Sequence, residues 1–128
     1  MKAADVLDYS EPTFVPPSMT IQEVAKLMID LRVDSVLVRE GSKVLGVVTE
    51  HDIVRALALG KPVTERVSEI MSRNLIVARR DEPLSSIVNR MLEANIRHLP
   101  VVSDDGSIVG VLNIKDVLRA FSAFSSWP

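Results

Sequence analysis

Cysteine is absent from the 128 residues, which removes disulfides, thiolate zinc sites and cysteine nucleophiles and suits a reducing compartment. No apolar run approaches the roughly 20 residues a membrane span needs. Met1-Lys2 leads into AADVLDYS rather than into the apolar stretch of a secretory signal. A surplus of basic charge is also missing. The 15 basic and 17 acidic side chains leave a net charge of -2, which offers no general attraction to nucleic acid or to an anionic membrane. The expectation is a soluble, cytoplasmic protein with neither a membrane nor a nucleic-acid partner. What is present is an ordinary globular balance, 47% apolar and 25% charged. The length fits one core, or two small repeated units that share the chain.

Repetition is the organising feature. GVVTEHDIVRAL (46–57) aligns with GVLNIKDVLRAF (110–121) at a shift of 64, with five identities, four apolar exchanges and three changes of chemistry in twelve positions. Upstream, at a shift of 63, Ile21, Val24, Ala25, Met28, Val33, Val36 and Val38 align with Leu84, Ile87, Val88, Met91, Ile96, Leu99 and Val101. The one-residue slip falls between REGSK and VSDDGS, glycine-bearing turns whose length varies cheaply.

Each copy predicts the order strand, helix, strand, strand, helix. The first strands are expected at Thr13–Val15 and Ile76–Ala78. An amphipathic helix follows, with Ile21, Val24, Ala25, Met28 and Leu31 on its buried face in the first copy. Thr20 with Glu23 forms a capping box, and Pro83 suits the first turn of the counterpart. Strand pairs are expected at Ser35–Arg39 with Lys43–Val48, and at His98–Ser103 with Ile108–Leu112. A second helix then starts near Glu50 or Ile114. TERVSEIM (64–71) reads as a connecting helix, and SAFSSWP as an extension of the last one. The boundary between copies falls at 63/64, giving 1–63 and 64–128. The fold class is α/β, two β-α-β-β-α repeats packed with pseudo-twofold symmetry, because a unit of about 55 residues buries little core alone.

Thr49-Glu50-His51-Asp52 invites an acid–base or metal reading. The second copy places Asn113, Ile114 and Lys115 opposite the first three and keeps only the aspartate, Asp116. One histidine with neighbouring carboxylates lacks the ligand count a metal or general-base network needs. Neither a catalytic nor a metal site is expected, and the chain reads as no enzyme. Thr49-x-x-Asp52 and Asn113-x-x-Asp116 both suit a helix cap followed by an acid at the positive end of the helix. Capping does not explain why glycine recurs three residues earlier, at Gly46 and Gly110, within strand patterns. Such a glycine marks a bulge or a close approach to the backbone.

The doubled pattern G-h-h-[T/N]-x-x-D-h, with RHLPVV at 97–102, resembles a tandem pair of CBS (cystathionine beta-synthase) domains, a Bateman module, over about residues 4–124. The resemblance implies a free-standing regulatory module that binds AMP, ADP or ATP, or sometimes S-adenosylmethionine, in clefts between the repeats. It places the ribose hydroxyls on Asp52 with Thr49 and on Asp116 with Asn113, which departs from the usual Ser or Thr. It lines the adenine pockets with Thr13, Val15 and Val33 facing Asp116, and with Ile76, Ala78 and Ile96 facing Asp52. Phosphates fall to Arg97 and His98, with His51 or Lys115 at the helix starts. Asp34 and Ser35 stand where the second copy has Arg97 and His98, so one phosphate site is expected to dominate. The same resemblance implies a homodimer through helices and an unidentified regulated protein. A ligand-independent interaction module is the alternative.

From the residues alone, Arg55 and Arg119, each three after an aspartate, read as local ion pairs. Phe121, Phe124 and Trp127 form an apolar stripe suited to core or dimer contact.

Overall fold

The computed structural model describes residues 1–7 and 12–124, with side chains through Ser122. The chain divides into two compact units, Thr13–Leu75 and Met1–Pro12 with Ile76–Pro128. These units are offset from the sequence boundary expected at 63/64, and backbone pairing supplies the reason. Lys2 bridges Pro83, and the Ala3 and Ala4 N–H groups donate to the carbonyls of Glu82 and Arg80, which ties the N-terminal residues to the second repeat. Residues 64–72 are tied to the first repeat. Val67 N–H donates to Met19 O at 2.7 Å, and Ile21 N–H to Glu65 O at 2.9 Å.

The element order is α1 (Ala3–Val6), β1 (Phe14–Val15), α2 (Ile21–Leu31), β2 (Ser35–Glu40), β3 (Lys43–Thr49), α3 (Glu50–Ala58), β4 (Ala78–Arg79), α4 (Leu84–Ala94), β5 (His98–Val102), β6 (Ile108–Asn113) and α5 (Ile114–Phe124). Each unit holds one three-stranded sheet, β1-β2-β3 or β4-β5-β6, with one parallel and one antiparallel pairing. The doubled α/β repeat expected from the sequence is therefore present. The short α1 has no counterpart in the sequence reading. TERVSEIM is not an α-helix. It contains only a 3-10 turn, Val67–Glu69, because its N–H groups are drawn sideways to Met19 and Pro17 instead of up a helix. Phe124 as a side chain, and Trp127 with the end of the SAFSSWP extension, lie outside the described residues.

Period and burial agree along α2, where Ile21, Val24 and Met28 are buried, but Leu31, expected on that face, is exposed at the last position. Both first helices end on a left-handed residue, Arg32 (φ 57°) and Asn95 (φ 54°). The next N–H, of Val33 or Ile96, turns back to the carbonyl of Met28 or Met91 at 3.0 Å, which closes the helix end. The Thr20 hydroxyl accepts from Glu23 N–H at 3.1 Å, one half of the expected capping box, while the Glu23 carboxylate accepts from that hydroxyl at 2.9 Å; Pro83 is the cap residue of α4 rather than a member of its first turn.

The first unit buries Val15, Val24, Met28, Val36, Val38 and Val48 in one cluster. The second buries Ala78, Ile87, Met91, Leu99, Val101 and Leu112. Proline occupies a central strand at Pro100, opposite Val111. Its counterpart Leu37 donates its N–H to Thr13 O at 2.9 Å, a bond proline cannot make. In the second unit the parallel pairing accordingly begins one residue later, at Ala78 with Val101, and the expected strand Ile76–Ala78 becomes Ala78–Arg79.

Both hairpins carry an irregularity beside the recurring glycine. Gly46 pairs with Val38 and Val44 with Arg39, so Leu45 is the extra residue. Gly110 pairs with Val101 and Ile108 with Val102, so Val109 is. At Gly46 there is also a close approach. A Cβ there would lie 2.6 Å from Ser72 O and 2.9 Å from Met71 Sδ, because Ser72 pairs with Val47 across it. The β5–β6 turn is held by Asp105, whose carboxylate accepts from the Ser103 and Ser107 hydroxyls and from Ser107 N–H. Those bonds hold its pKa down to about 2.

Candidate functional site

In each unit the last sheet strand runs without a break into a helix, and the residue at the junction is the cap. Glu50 N–H donates to Asp34 O at 3.1 Å, and Ile114 N–H to Arg97 O at 2.9 Å. These bonds fasten the helix start to the residue preceding β2 or β5. Positions 34 and 97, reached from the sequence only as possible charge, thus also set where the helix begins.

At α3 the cap is reciprocal. Asp52 N–H donates to Thr49 Oγ1 at 3.4 Å, while Asp52 Oδ2 accepts from Thr49 N–H at 2.9 Å and from the Thr49 hydroxyl at 3.2 Å. Oδ1 faces Arg55 Nη1 at 3.6 Å. The same division recurs at α5, where Asp116 Oδ2 accepts from Asn113 N–H at 3.2 Å and Oδ1 faces Arg119 Nη1 at 3.6 Å. The arginines are exposed, 58% and 78%, whereas the aspartate side chains are 14% and 22% exposed. The pairs are therefore the local ion pairs the spacing implied, weak on an exposed helix surface. Each carboxylate gives one oxygen to the cap and keeps acceptor capacity on the other. That leaves it suited to hydroxyl donors, such as the two of a ribose.

Asn113 departs from Thr49 in how it caps. Its Oδ1 accepts from Lys115 N–H at 2.8 Å, and its Nδ2 meets His98 Nε2 at 3.2 Å. His98 stands directly opposite Asn113 in the β5–β6 register, as Ser35 stands opposite Thr49. The sequence reading missed this contact, although the repeat alignment contains its signal. The pair Thr49 with Ser35 becomes Asn113 with His98, two changes at facing positions.

The two proposed ribose pairs, Thr49 with Asp52 and Asn113 with Asp116, are each brought together. Around the second, Arg97, His98 and Lys115 gather at the start of α5, while His51 is exposed in the first turn of α3 in the other unit. Of the adenine candidates, Val15 and Ala78 are buried within their own cores. Val33, Ile76 and Ile96 are half-buried at the edges of those cores. Thr13 is half-buried just before β1 and contributes its carbonyl to Leu37. Arg39 lies 3.9 Å over the Phe14 ring, a cation–π contact the sequence reading did not anticipate. Among the described residues no group of three or more His, Cys, Asp or Glu side chains could hold a metal ion. No described helix is long and apolar enough to cross a membrane.

The model of the CBS domain matches the chain twice, over residues 3–59 and 67–123. The chain belongs to the CBS domain family. Among curated proteins it is 36% identical over 111 residues to an L-aspartate semialdehyde sulfurtransferase of Methanocaldococcus jannaschii, covering 86% of this chain and 21% of that protein. It is 32% identical over 107 residues to an uncharacterized 17.7 kDa protein of Acidianus ambivalens, covering 83% of this chain and 65% of that one. This CBS pair thus spans about a fifth of the sulfurtransferase and just under two thirds of the Acidianus protein. Among solved structures, the CBS domain pair of protein MJ0100, in complex with 5'-methylthioadenosine and S-adenosyl-L-methionine, superposes with a TM-score of 0.88 at 30% identity, covering 98% of both chains. A CBS domain protein of Pyrobaculum aerophilum complexed with AMP gives 0.82 at 28% identity, covering 96% of this chain and 99% of that one.

Proposed function

We propose that this CBS pair is a regulatory module that binds an adenosine-containing ligand, AMP, ADP or ATP, or else S-adenosylmethionine, and has no catalytic role of its own. The ribose hydroxyls are held by Asp52 with Thr49, and by Asp116 in the second repeat. The observation that carries this reading is the repeated division of each carboxylate. Oδ2 is spent on the cap, while Oδ1 of the same part-buried side chain retains lone pairs for a diol. Adenosine ligands in the structurally similar CBS proteins support it.

Adenine is taken up against the half-buried Thr13, Val33, Ile76 and Ile96, with Val15 and Ala78 behind them in the cores. Phosphate charge is met by Arg97, His98 and Lys115, with His51 at the start of α3. Asp34 and Ser35 occupy the equivalent place in the first repeat, where the Asp34 carboxylate would repel a phosphate, so one phosphate site dominates. Occupancy is transmitted through the helices that start at the two aspartates. They expose Val54 and Leu57 on α3 and Leu118 and Phe121 on α5, equivalent positions of the repeat. These faces are the surface we assign to homodimer or partner contact, in a cytoplasmic protein. The ligand acts only by its differential affinity for the two arrangements it selects between.

Calorimetry and thermal shift with AMP, ADP, ATP and S-adenosylmethionine test the reading on wild type, Asp52→Ala and Asp116→Ala. A ligand at a hundred times its Kd adds about 2.7 kcal/mol to stability. If none of the four moves the melting temperature, the module binds no adenosine ligand. The exposed apolar helix faces then favour the second reading, a ligand-independent interaction module. Equal losses in the two aspartate variants would refute the asymmetry.

A further inference from the structure

Asn113 presents two chemically different ends, and the α5 cap decides which end points where. A backbone N–H only donates, so the group 2.8 Å from Lys115 N–H is the amide oxygen. The amide nitrogen is therefore the end that meets His98 Nε2 at 3.2 Å. That nitrogen also donates, and the imidazole must accept. His98 Nε2 thus carries no proton, and the ring hydrogen sits on Nδ1.

From this chain of donors and acceptors we infer that His98 is a positioning residue for the Asp116 half-site. As the Nδ1–H tautomer it locks the Asn113 side-chain amide, so that the amide carbonyl caps α5 at Lys115 N–H, in the same first turn where the Asn113 backbone N–H donates to Asp116 Oδ2. The inference rests on the proposed ribose role of Asp116 only for its ligand readout. It replaces the phosphate contact given to His98 above, because Nε2 is engaged with Asn113 rather than presented to a phosphate. The first repeat serves as an internal control. Thr49 orients itself by bonding Asp52 in both directions, and opposite it the chain has only Ser35. An amide cap needs a partner to fix its orientation. A hydroxyl cap, which donates and accepts through one atom, does not.

Two measurements on the full chain test this. Nitrogen-15 NMR of the histidine rings near neutral pH reads the tautomer without ligand. The expected spectrum has His98 Nε2 as an unprotonated, pyridine-type nitrogen and Nδ1 as a protonated one. A protonated Nε2 overturns the inference.

The second measurement is adenosine and AMP binding to wild type, His98→Ala, His98→Gln, Asn113→Thr and the double variant His98→Ala/Asn113→Thr. Loss of one hydrogen bond predicts adenosine binding roughly two- to tenfold weaker in His98→Ala. His98→Gln, which retains an acceptor, restores most of the adenosine affinity that His98→Ala loses. In the Asn113→Thr background, His98→Ala costs less than about twofold, because the amide it served is gone. If His98→Ala weakens binding equally in both backgrounds, or weakens AMP more than adenosine, His98 is a ligand contact and the positioning role is wrong. If the wild type binds no adenosine, the ribose reading fails, and the NMR arm still decides the tautomer.

Discussion

Replacing Gly46 with alanine separates a structural role for that glycine from a ligand-facing one. The added Cβ would lie 2.6 Å from Ser72 O, 2.9 Å from Met71 Sδ and 3.0 Å from Met71 Cγ, whereas ordinary contact begins at 3.4 Å. The methionine can swing aside, but Ser72 O is backbone and must retreat by about 0.8 Å to reach ordinary distance. That retreat pulls on the pair Val47 N–H to Ser72 O (3.0 Å) and Ser72 N–H to Val47 O (2.9 Å), the bonds that hold residues 71–72 on the first unit. Overpacking of this kind costs about 1–3 kcal/mol. One lost hydrogen bond adds up to about 1 kcal/mol. The expected total of about 2–3 kcal/mol lowers the melting temperature by roughly 5–15 °C for a chain of this size. Gly41→Ala is the comparison, because Gly41 has φ +61° but open space around a Cβ, so only the backbone cost of roughly 1 kcal/mol applies. Thermal and urea melts of both variants read the difference. If Gly46→Ala melts as wild type does, or is no worse than Gly41→Ala, the close approach is not the reason for the glycine. Intact stability with lost adenosine binding would place Gly46 at the ligand instead.

Thr49→Ala removes the α3 cap and should cost about 1 kcal/mol in urea unfolding, with no change in the slope of the transition. Asp52→Asn keeps an oxygen for Thr49 N–H but loses the charge. Its stability should fall by less than about 1 kcal/mol while nucleoside affinity drops at least severalfold, a split that a pure cap would not show in calorimetry. Arg32→Asn puts a residue tolerant of the left-handed region where φ is 57°, as Asn95 does in the other repeat, and should raise stability by a few tenths to about 1 kcal/mol in the same melts. At Glu82, burial raises the carboxyl pKa, but the hydrogen bond from Arg90, the one from Arg79 N–H and the Arg90 charge outweigh it, leaving it below the usual glutamate range. A lowered carboxyl contributes stability that is complete above the unfolded-state value and fades as pH falls through the folded one. Arg90→Met should therefore cost roughly 0.5–1 kcal/mol at pH 7, a gap that narrows below about pH 4 in melts across pH; a gap that widens on acidification would reverse the assigned sign.

The repeat made most of this fold legible, because helix period and strand alternation were each seen twice and errors in one copy were checked by the other. The misreadings have local causes. TERVSEIM has helical spacing, yet its backbone bonds run to Met19 and Pro17, partners nearly fifty residues away that no local pattern announces. The α1 turn is four residues stabilised by Lys2 N–H to Asp5 Oδ2 at 2.8 Å and by pairing with residues 80–83, so its stability lies in the pairing and not in its own sequence. Leu31 has the right period for burial but sits in the final turn, beside the left-handed Arg32, where the chain leaves the helix. Pro100 shifted β4 by one residue through a missing donor, and that step was readable in principle, since it follows from the residue type and its alignment with Leu37, whose N–H makes the bond to Thr13 O.

The site was legible in a different way. Comparing the copies removed Glu50 and His51 from any shared role and left the glycine and the aspartate, and the structure gives those two different reasons to recur. Gly46 is held by its own chain, through Ser72 passing over it, so this glycine needs no ligand to account for it. Asp52 and Asp116 are each used by the chain on one oxygen only. Capping alone would be served by either oxygen, and an exposed carboxylate would do as well as a part-buried one. It is the second oxygen of a part-buried carboxylate, placed the same way in both repeats with an exposed arginine 3.6 Å away, that capping leaves unexplained and a ribose would use. Where the copies differ, at Asn113 and His98, the difference is itself paired across one strand register. A change confined to one member would read as drift, but an amide cap facing an imidazole acceptor solves the orientation problem that the amide created.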